Sequence, residues 1–273
     1  MCKIFLAVIL LAFGAPFDGG AAMLIAARAS LAIANAKRWR NPYITDGLVA
    51  MWDAEWNVGG GMHDANATKW IDLSGNGRNL TAPAQYSFGS YCCDMPKGNR
   101  FTGALPSVLS AVTVEFVGCF TASYTSSTDC DLGIETGNRG LGTFFLSNVA
   151  NSSRDIMIAT RSSNASSSTT YKIRGPYPAN AVSAYVNALI AFSGSAKVSS
   201  GKDFDLYVNG RARNGNSSSY WNAGATTPTK WIGVGSAGKT PIRLCCTRIY
   251  SRFFTAAEIA ANYAVDRARF NLP

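Results

Sequence analysis

From Tyr43 onward, hydrophobic and polar residues alternate with a period of two in several short segments. Successive side chains of a strand point to opposite faces, so this pattern predicts β-strands with one buried face. Asn209-Gly210 follows one of these segments at once and is a strong hairpin signal. The predicted strands cover residues 47–52, 112–120, 155–160, 184–192, 204–208, 231–235 and 242–250. Many short strands separated by turn residues indicate an all-β protein with antiparallel pairing, either a sandwich or a barrel.

One helix is predicted directly after the last strand. Thr255-Ala256-Ala257-Glu258 is a capping box, in which the threonine hydroxyl and the glutamate side chain bond each other's backbone amides. Phe254 before the cap and Ile259 inside the helix form the matching hydrophobic staple. Ile259, Ala260 and Tyr263 are expected to share the face that packs against the sheet.

The first 42 residues have a different pattern and form a separate predicted segment. Residues 1–22 resemble a signal peptide, with Lys3 ahead of the apolar run 4–13, and residues 23–40 suggest an Ala-rich helix that ends before Pro42. Three interpretations remain open: a cleaved export signal, a retained helical anchor, or a true start at Met23. No apolar run reaches the ~18 residues that a membrane-spanning helix needs. The predicted domains are therefore 1–42, signal-like or anchoring, and 43–273, the β-domain.

Composition narrows the classes of function. The chain has 273 residues, of which 47% are hydrophobic and 15% charged, enough for a sizeable core. Of the net charge of +9, residues 1–40 hold +4 and residues 243–273 hold +3. A nucleic-acid binder usually spreads its basic residues along one face, so basic ends favour docking or anchoring, or simply a solvated helix surface, over nucleic-acid binding. The single histidine, His63, excludes a multi-histidine metal site, and nucleotide-binding glycine motifs are absent.

Seven cysteines leave the redox compartment open. They include two adjacent pairs, and in a strand each pair would place one thiol on either face. None has the spacing of a zinc or redox motif. We interpret them chiefly as buried free thiols, with a bridge between Cys119 and Cys130 as the alternative. The seven are Cys2, Cys92, Cys93, Cys119, Cys130, Cys245 and Cys246.

Four motifs in order resemble the concanavalin A-like lectin/glucanase superfamily in its laminin-G-like branch, over about residues 43–270. The resemblance implies an antiparallel jelly-roll β-sandwich, here with an N-terminal helical segment and a short C-terminal helix. The N-terminal segment before such a domain also resembles bacteriophage and gut-bacterial surface proteins. The motifs are residues 47–53 with 70–77, 206–210, 232–235, and 248–263.

The resemblance does not extend to an active site. Glucanases of this superfamily carry a Glu-x-Asp-x-x-Glu strand, and that pattern is absent here. The nearest acidic pairs lack a third carboxylate, so we expect no enzyme activity; they are Asp53/Glu55, Asp129/Asp131 and Asp203/Asp205. Family members often use calcium, but no known calcium-loop spacing matches the acidic loop 53–72. We therefore expect no cofactor and no metal, with calcium possible but unsupported by any motif. The oxygen donors of that loop are Asp53, Asn57, Asp64, Asn66 and Asp72.

Two loop clusters have the composition of a sugar-binding surface, which combines an aromatic platform with planar polar groups. The first lies after the first strand and the second in a Ser/Asn-rich loop; together they contain Trp56, His63 and Asn66, and Tyr220, Trp221 and Asn222. The expected function is a non-catalytic carbohydrate- or surface-binding module, extracellular or displayed on a virion surface. Its partner would be a glycan or cell-surface polysaccharide. The alternative is a structural or decoration component of a bacteriophage head or tail that docks on virion proteins through residues 1–40.

Overall fold

A computed structural model of the chain shows an antiparallel β-protein with a C-terminal helix. The helix predicted over 23–40, the second aromatic cluster, Cys2 and Cys130 lie outside the described residues. The structure describes residues 40–81, 86–96, 100–104, 111–121, 131–137, 144–148, 156–161, 170–174, 187–197, 204–212, 231–235 and 241–273.

Two antiparallel sheets are formed within the described residues. The first has the order β14-β13-β12-β7-β16-β5-β4, with β1 beside β16. Its strands are β1 (Leu48–Asp53), β4 (Ser87–Phe88), β5 (Cys93–Met95), β7 (Ala111–Phe120), β12 (Ile190–Lys197), β13 (Phe204–Val208), β14 (Arg211–Ala212) and β16 (Ile242–Tyr250).

The second sheet has the order β11-β10-β9-β8-β15-β6-β3-β2. Its strands are β2 (Lys69–Trp70), β3 (Leu80–Thr81), β6 (Arg100–Gly103), β8 (Asp131–Gly137), β9 (Phe144–Asn148), β10 (Ile156–Arg161), β11 (Thr170–Arg174) and β15 (Trp231–Gly235).

The main core contains residues from both sheets. The ring centroid of Trp70, from the second sheet, lies 5.5 Å from that of Phe88 in the first and 4.9 Å from that of Phe101 in its own. Phe116 and Phe192 stack at 4.7 Å on the first sheet. All five rings are buried in one cluster. This arrangement confirms an all-β sandwich, while the jelly-roll connectivity remains a prediction.

The predicted strands lie where the alternation places them, with one exception, and the described residues contain nine further strands that were not predicted. Six of the predicted strands match β1, β7, β10, β13, β15 and β16 to within one residue at either end. The strand predicted over 184–192 is wrong in position, because β12 begins only at Ile190. Asn187 has a φ of 59° and donates its amide to the carbonyl of Phe120, so the chain turns there before the strand begins. Asn209 and Gly210, with φ of 49° and 67°, form the predicted hairpin turn.

Helix α1 (Ala256–Phe270) begins as predicted, and the face it buries matches the predicted one in part. Both hydrogen bonds of the capping box between Thr255 and Glu258 are present, and Phe254 and Ile259 pack in one cluster. Of the expected face, Ile259 is buried and Tyr263 packs partly buried on a core cluster, and only Ala260 was wrong, because it is exposed. The buried positions are Ile259, Asn262, Asp266 and Phe270. Two of these four are polar, a pattern that hydrophobic periodicity does not register.

The cysteines depart from the expected set of free thiols. Cys92 and Cys245 form a disulfide, which corrects that expectation for both, whereas Cys93, Cys119 and Cys246 are free and buried. Cys93 belongs to the main core and Cys92 packs on the opposite, helix-facing side of the sheet, as the alternation predicts. Cys245 and Cys246 instead both face the helix side. The register of β16 shifts between Leu244 and Cys246, and this bulge turns the two neighbours toward the same side.

Candidate functional site

The loop that follows β1, residues 54–68, carries three of the predicted ligand-binding residues and is held by its own hydrogen bonds. The side chain of buried Asn57 donates to the carbonyl of Asp64 at 2.7 Å and accepts from its amide at 2.9 Å. The amide of Gly59 donates to the carbonyl of Trp56 at 2.9 Å. Gly59, Gly60 and Gly61 all have φ between 63° and 81°, where a side chain is strained. The glycine run therefore shapes a compact loop.

The loop carries one half-buried indole and two exposed polar side chains. Trp56 is half-buried, and His63 and Asn66 are exposed. His63 Nδ1 lies 3.0 Å from the carbonyl of Ala54, which orients the ring and leaves Nε2 as the outer nitrogen. The amide of Asn66 donates to the Asp64 carboxylate at 2.9 Å, so its backbone is fixed while its side chain is exposed. Trp56, His63 and Asn66 thus share one ordered loop.

Arg269, near the end of α1, holds Trp56 in place, and the sequence analysis missed this residue. Its guanidinium carbon lies 4.1 Å from the centroid of the Trp56 ring, a cation–π contact. Its Nη1 donates to Asp53 Oδ2 at 2.7 Å and its Nη2 to Glu55 Oε2 at 2.8 Å. Nη1 also donates to the Tyr43 hydroxyl at 2.8 Å. The only sequence signal was the Asp53/Glu55 pair itself, whose facing carboxylates at the end of a strand require a cation.

A second ionic group lies beneath α1. Arg248 of β16 donates from Nε to Glu115 Oε2 at 3.0 Å and from Nη2 to Asp266 Oδ2 at 2.6 Å. Asn262 Nδ2 also donates to Glu115 Oε2, at 2.7 Å. All four side chains are buried. The Tyr43 hydroxyl donates to Asp266 at 2.7 Å, which joins this group to Arg269. Being buried, the group serves to fasten α1 to the sheet rather than to contact a ligand.

Burial controls the titration of the carboxylates in both groups. Desolvation raises the pKa of Glu115 above its ordinary value, against the opposing effect of Arg248. Desolvation likewise raises the pKa of Asp53, although Arg269 lowers it in part.

The acidic pairs weighed for catalysis do not form a paired acid and nucleophile within the described residues. Asp53 and Glu55 share the single guanidinium of Arg269, and Asp205 is exposed. Asp129 and Asp203, and the side chain of Asp131, lie outside the described residues.

The oxygen donors proposed for calcium are likewise engaged with protein groups. Asp64 accepts from the Asn66 amide, and Asp72 accepts from the amides of Met51, Ser74 and Arg78. In the part of the chain that the structure describes, no group of three or more His, Cys, Asp or Glu side chains is placed to hold a metal ion. Among these residues there is also no helix long and apolar enough to cross a membrane.

Comparison with known proteins gave matches only among solved structures. No protein-family model matches the sequence, and no curated protein matches it either. A botulinum neurotoxin serotype D ligand-binding domain, solved with N-acetylneuraminic acid, matches with a TM-score of 0.58 at 13% identity, over 83% of this chain and 52% of that one. A botulinum neurotoxin type C structure, whose title links cell entry to two ganglioside molecules, matches with a TM-score of 0.60 at 10% identity, over 81% and 52%.

A Trypanosoma rangeli sialidase in complex with a difluoro-KDN matches with a TM-score of 0.53 at 14% identity, over 81% of this chain and 33% of that one. The chain thus spans about half the length of the neurotoxin domains. At these identities the likeness concerns the β-rich fold and leaves the more specific concanavalin A-like assignment as a prediction.

Proposed function

We propose that this protein is a non-catalytic carbohydrate-binding module that acts outside the cell. The observation that carries the proposal is the ordered loop 54–68, in which Arg269 contacts the half-buried Trp56 and in which His63 and Asn66 are exposed. Sugars present apolar C–H faces and hydroxyl edges together. A fixed indole and planar polar side chains in the same loop suit both, and a preorganised loop loses little entropy on binding.

The structural neighbours support this proposal by analogy. Two of them are neurotoxin structures whose titles name N-acetylneuraminic acid and gangliosides. A shared fold does not transfer a ligand, so the analogy supports the general class of partner, a glycan, and no particular sugar.

The absence of catalysis is part of the proposal. The Asp53 and Glu55 carboxylates are committed to Arg269, and Glu115 is buried against Arg248 and Asn262. A glycosidase needs one carboxyl group free to donate a proton and a second free to attack or to activate water. These three carboxyls would have to leave ion pairs or the core to act in that way.

The extracellular location is supported by the disulfide between Cys92 and Cys245. Disulfides persist in oxidising compartments and are rare in reducing ones. Whether the module is secreted or displayed on a virion depends on residues 1–40, of which 1–39 lie outside the described residues. A virion component that docks through this segment remains the alternative prediction.

A glycan array probed with the full chain tests the proposal. We expect binding that Asn66→Ala weakens without lowering the melting temperature, because Asn66 contributes only its backbone amide to the loop. Trp56→Ala should abolish binding. Tyr91→Ala, which removes an exposed aromatic from the turn before β5, is the matched control and should bind normally. Equal loss in Trp56→Ala and Tyr91→Ala, or no binding to any glycan, would contradict the assignment.

A further inference from the structure

We propose that the surface formed by loop 54–68 and Arg269 selects uncharged glycans and disfavours acidic ones such as sialylated or sulfated sugars. This inference rests on the proposed function and adds the ligand class. It follows from the charges that surround Trp56 and from how the donors of Arg269 are used.

The loop and its flanks form an acidic region on a basic protein. Residues 53–72 contain four carboxylates and one cation, Lys69, whereas the whole chain has a net charge of +9. The four carboxylates are Asp53, Glu55, Asp64 and Asp72. Asp64 is exposed and the Glu55 side chain is 32% exposed, so both face the solvent from which a ligand would arrive.

Arg269 is poorly placed to receive an anionic sugar, because three of its five N–H donors are already used and its side chain is mostly buried. An acidic sugar is best recognised by an arginine that offers two parallel N–H donors to its carboxylate. Here Nη1 donates to Asp53 and Tyr43, and Nη2 donates to Glu55. The guanidinium also lies against the face of Trp56 and is only 14% exposed. Two carboxylates around one guanidinium leave a net negative charge beside the indole.

Protonation of Asp53 would remove the net negative charge beside the indole but would not reverse its sign. If Asp53 were protonated, Glu55 would still balance Arg269, and Asp64 would still offset Lys69. The surface therefore does not become cationic. A sugar carboxylate placed near Trp56 would approach Glu55 with its own charge unpaired, and like charges at that distance repel. An uncharged sugar incurs no such repulsion.

The test uses an array printed with matched glycans that differ only by a terminal sialic acid, or only by a sulfate. We expect the full chain to bind the uncharged member of each pair at least about tenfold more tightly. Glu55→Gln keeps the side-chain shape and removes the charge, and it should narrow that preference. Glu258→Gln removes a carboxylate at the other end of α1 and should leave the preference unchanged.

The outcomes distinguish a failure of this inference from a failure of the proposed function on which it rests. Tighter binding of the sialylated or sulfated members overturns the selectivity but leaves a glycan-binding module. A preference that Glu55→Gln and Glu258→Gln change equally, or that neither changes, overturns the assignment of selectivity to this surface. No binding to any glycan overturns the proposed function and this inference together.

Discussion

Arg248 and Asp266 form a buried bidentate ion pair that joins the last strand to the helix that follows it. Nη1 of Arg248 donates to Asp266 Oδ1 at 2.9 Å and Nη2 donates to Oδ2 at 2.6 Å. The pair connects residues only 18 positions apart, yet it lies in the contact between β16 and α1. Its second carboxylate partner, Glu115, comes from the neighbouring strand β7. The helix is thus attached through buried charges as well as through apolar contact.

Removing one partner of this pair should destabilise the protein strongly. Asp266→Ala leaves the buried guanidinium with Glu115 alone and takes the acceptor away from Tyr43. We expect a loss of about 3–5 kcal/mol in the free energy of unfolding, measured by urea denaturation. Asp94→Ala is the matched control, because it breaks an exposed pair with Arg243 and should cost less than about 1 kcal/mol. Similar losses in the two variants would contradict the structural role of the buried pair.

The raised pKa of Glu115 makes a prediction about pH. A carboxyl group whose pKa is higher in the folded than in the unfolded state holds its proton more tightly when folded. Stability is then lost as the pH rises from the unfolded value of about 4.5 toward the raised pKa. The Glu115→Gln variant cannot ionise at this position. Its free energy of unfolding should therefore rise relative to that of the wild type as the pH increases from about 4.5 toward the raised pKa of Glu115.

The measurement for Glu115 is a series of denaturation curves across this pH range. Glu258 is the control, because its pKa is shifted in the opposite direction. Its carboxylate accepts a hydrogen bond from the Thr255 amide, and this bond lowers its pKa. Glu258→Gln should be less stable than the wild type at neutral pH, and the difference should vanish as the pH falls through the lowered pKa of Glu258. If Glu115→Gln and Glu258→Gln followed the same pH trend, the environment assigned to Glu115 would be wrong.

Two features of the structure require glycine at position 210, and their effects on stability can be measured separately. Its φ is 67°, and a methyl group at its Cα would overlap the ring of Tyr263 on α1. Gly77 has a similar φ of 72° but faces open space. Gly77→Ala should therefore show only the backbone strain, about 1–2 kcal/mol, and Gly210→Ala should lose clearly more. Thermal melting of both variants gives the comparison. Equal losses would mean that α1 does not pack on the β13–β14 turn.

Six of the strands and the start of the helix were predictable because their signals are local. The sequences of β7 and β16 alternate in polarity although both strands are buried on both faces, and a capping box occupies four consecutive residues. Neither signal depends on what lies elsewhere in the chain. The same reasoning failed at β12, where Asn187 forms a turn within an alternating segment.

The supports of the candidate site were not predictable, because they join residues that are far apart in sequence. Arg269 reaches Asp53 across 216 positions and fixes Trp56, so a pattern within the loop contains only half of the arrangement. Two buried positions of α1, Asn262 and Asp266, were missed because they are polar. They can be buried only because Glu115, Tyr43 and Arg248 supply their hydrogen bonds.

The capping box makes a local prediction about α1. Thr255→Ala removes the hydroxyl that accepts from the Glu258 amide and should cost about 1 kcal/mol. Thr255→Ser keeps that hydroxyl and should retain nearly full stability. Denaturation by urea distinguishes the two, and equal stability of the alanine and serine variants would show that this cap does not stabilise the helix.

The last prediction concerns the disulfide between Cys92 and Cys245, which closes a sequence separation of 153 residues. A link across so long a loop restricts the unfolded chain, and its loss should cost about 3–5 kcal/mol. The carbonyl of Cys245 accepts the amide of Ala54 at 2.8 Å, so the link also braces the start of loop 54–68. Cys92→Ala should therefore lower the melting temperature and speed hydrogen exchange at Ala54.

Cys119→Ala, at a buried free thiol, is the matched control for losing a sulfur atom alone. A reductant should lower the melting temperature of the wild type and of Cys119→Ala but leave Cys92→Ala unchanged. A wild type that melts at the same temperature with and without reductant would show that the link does not stabilise the fold.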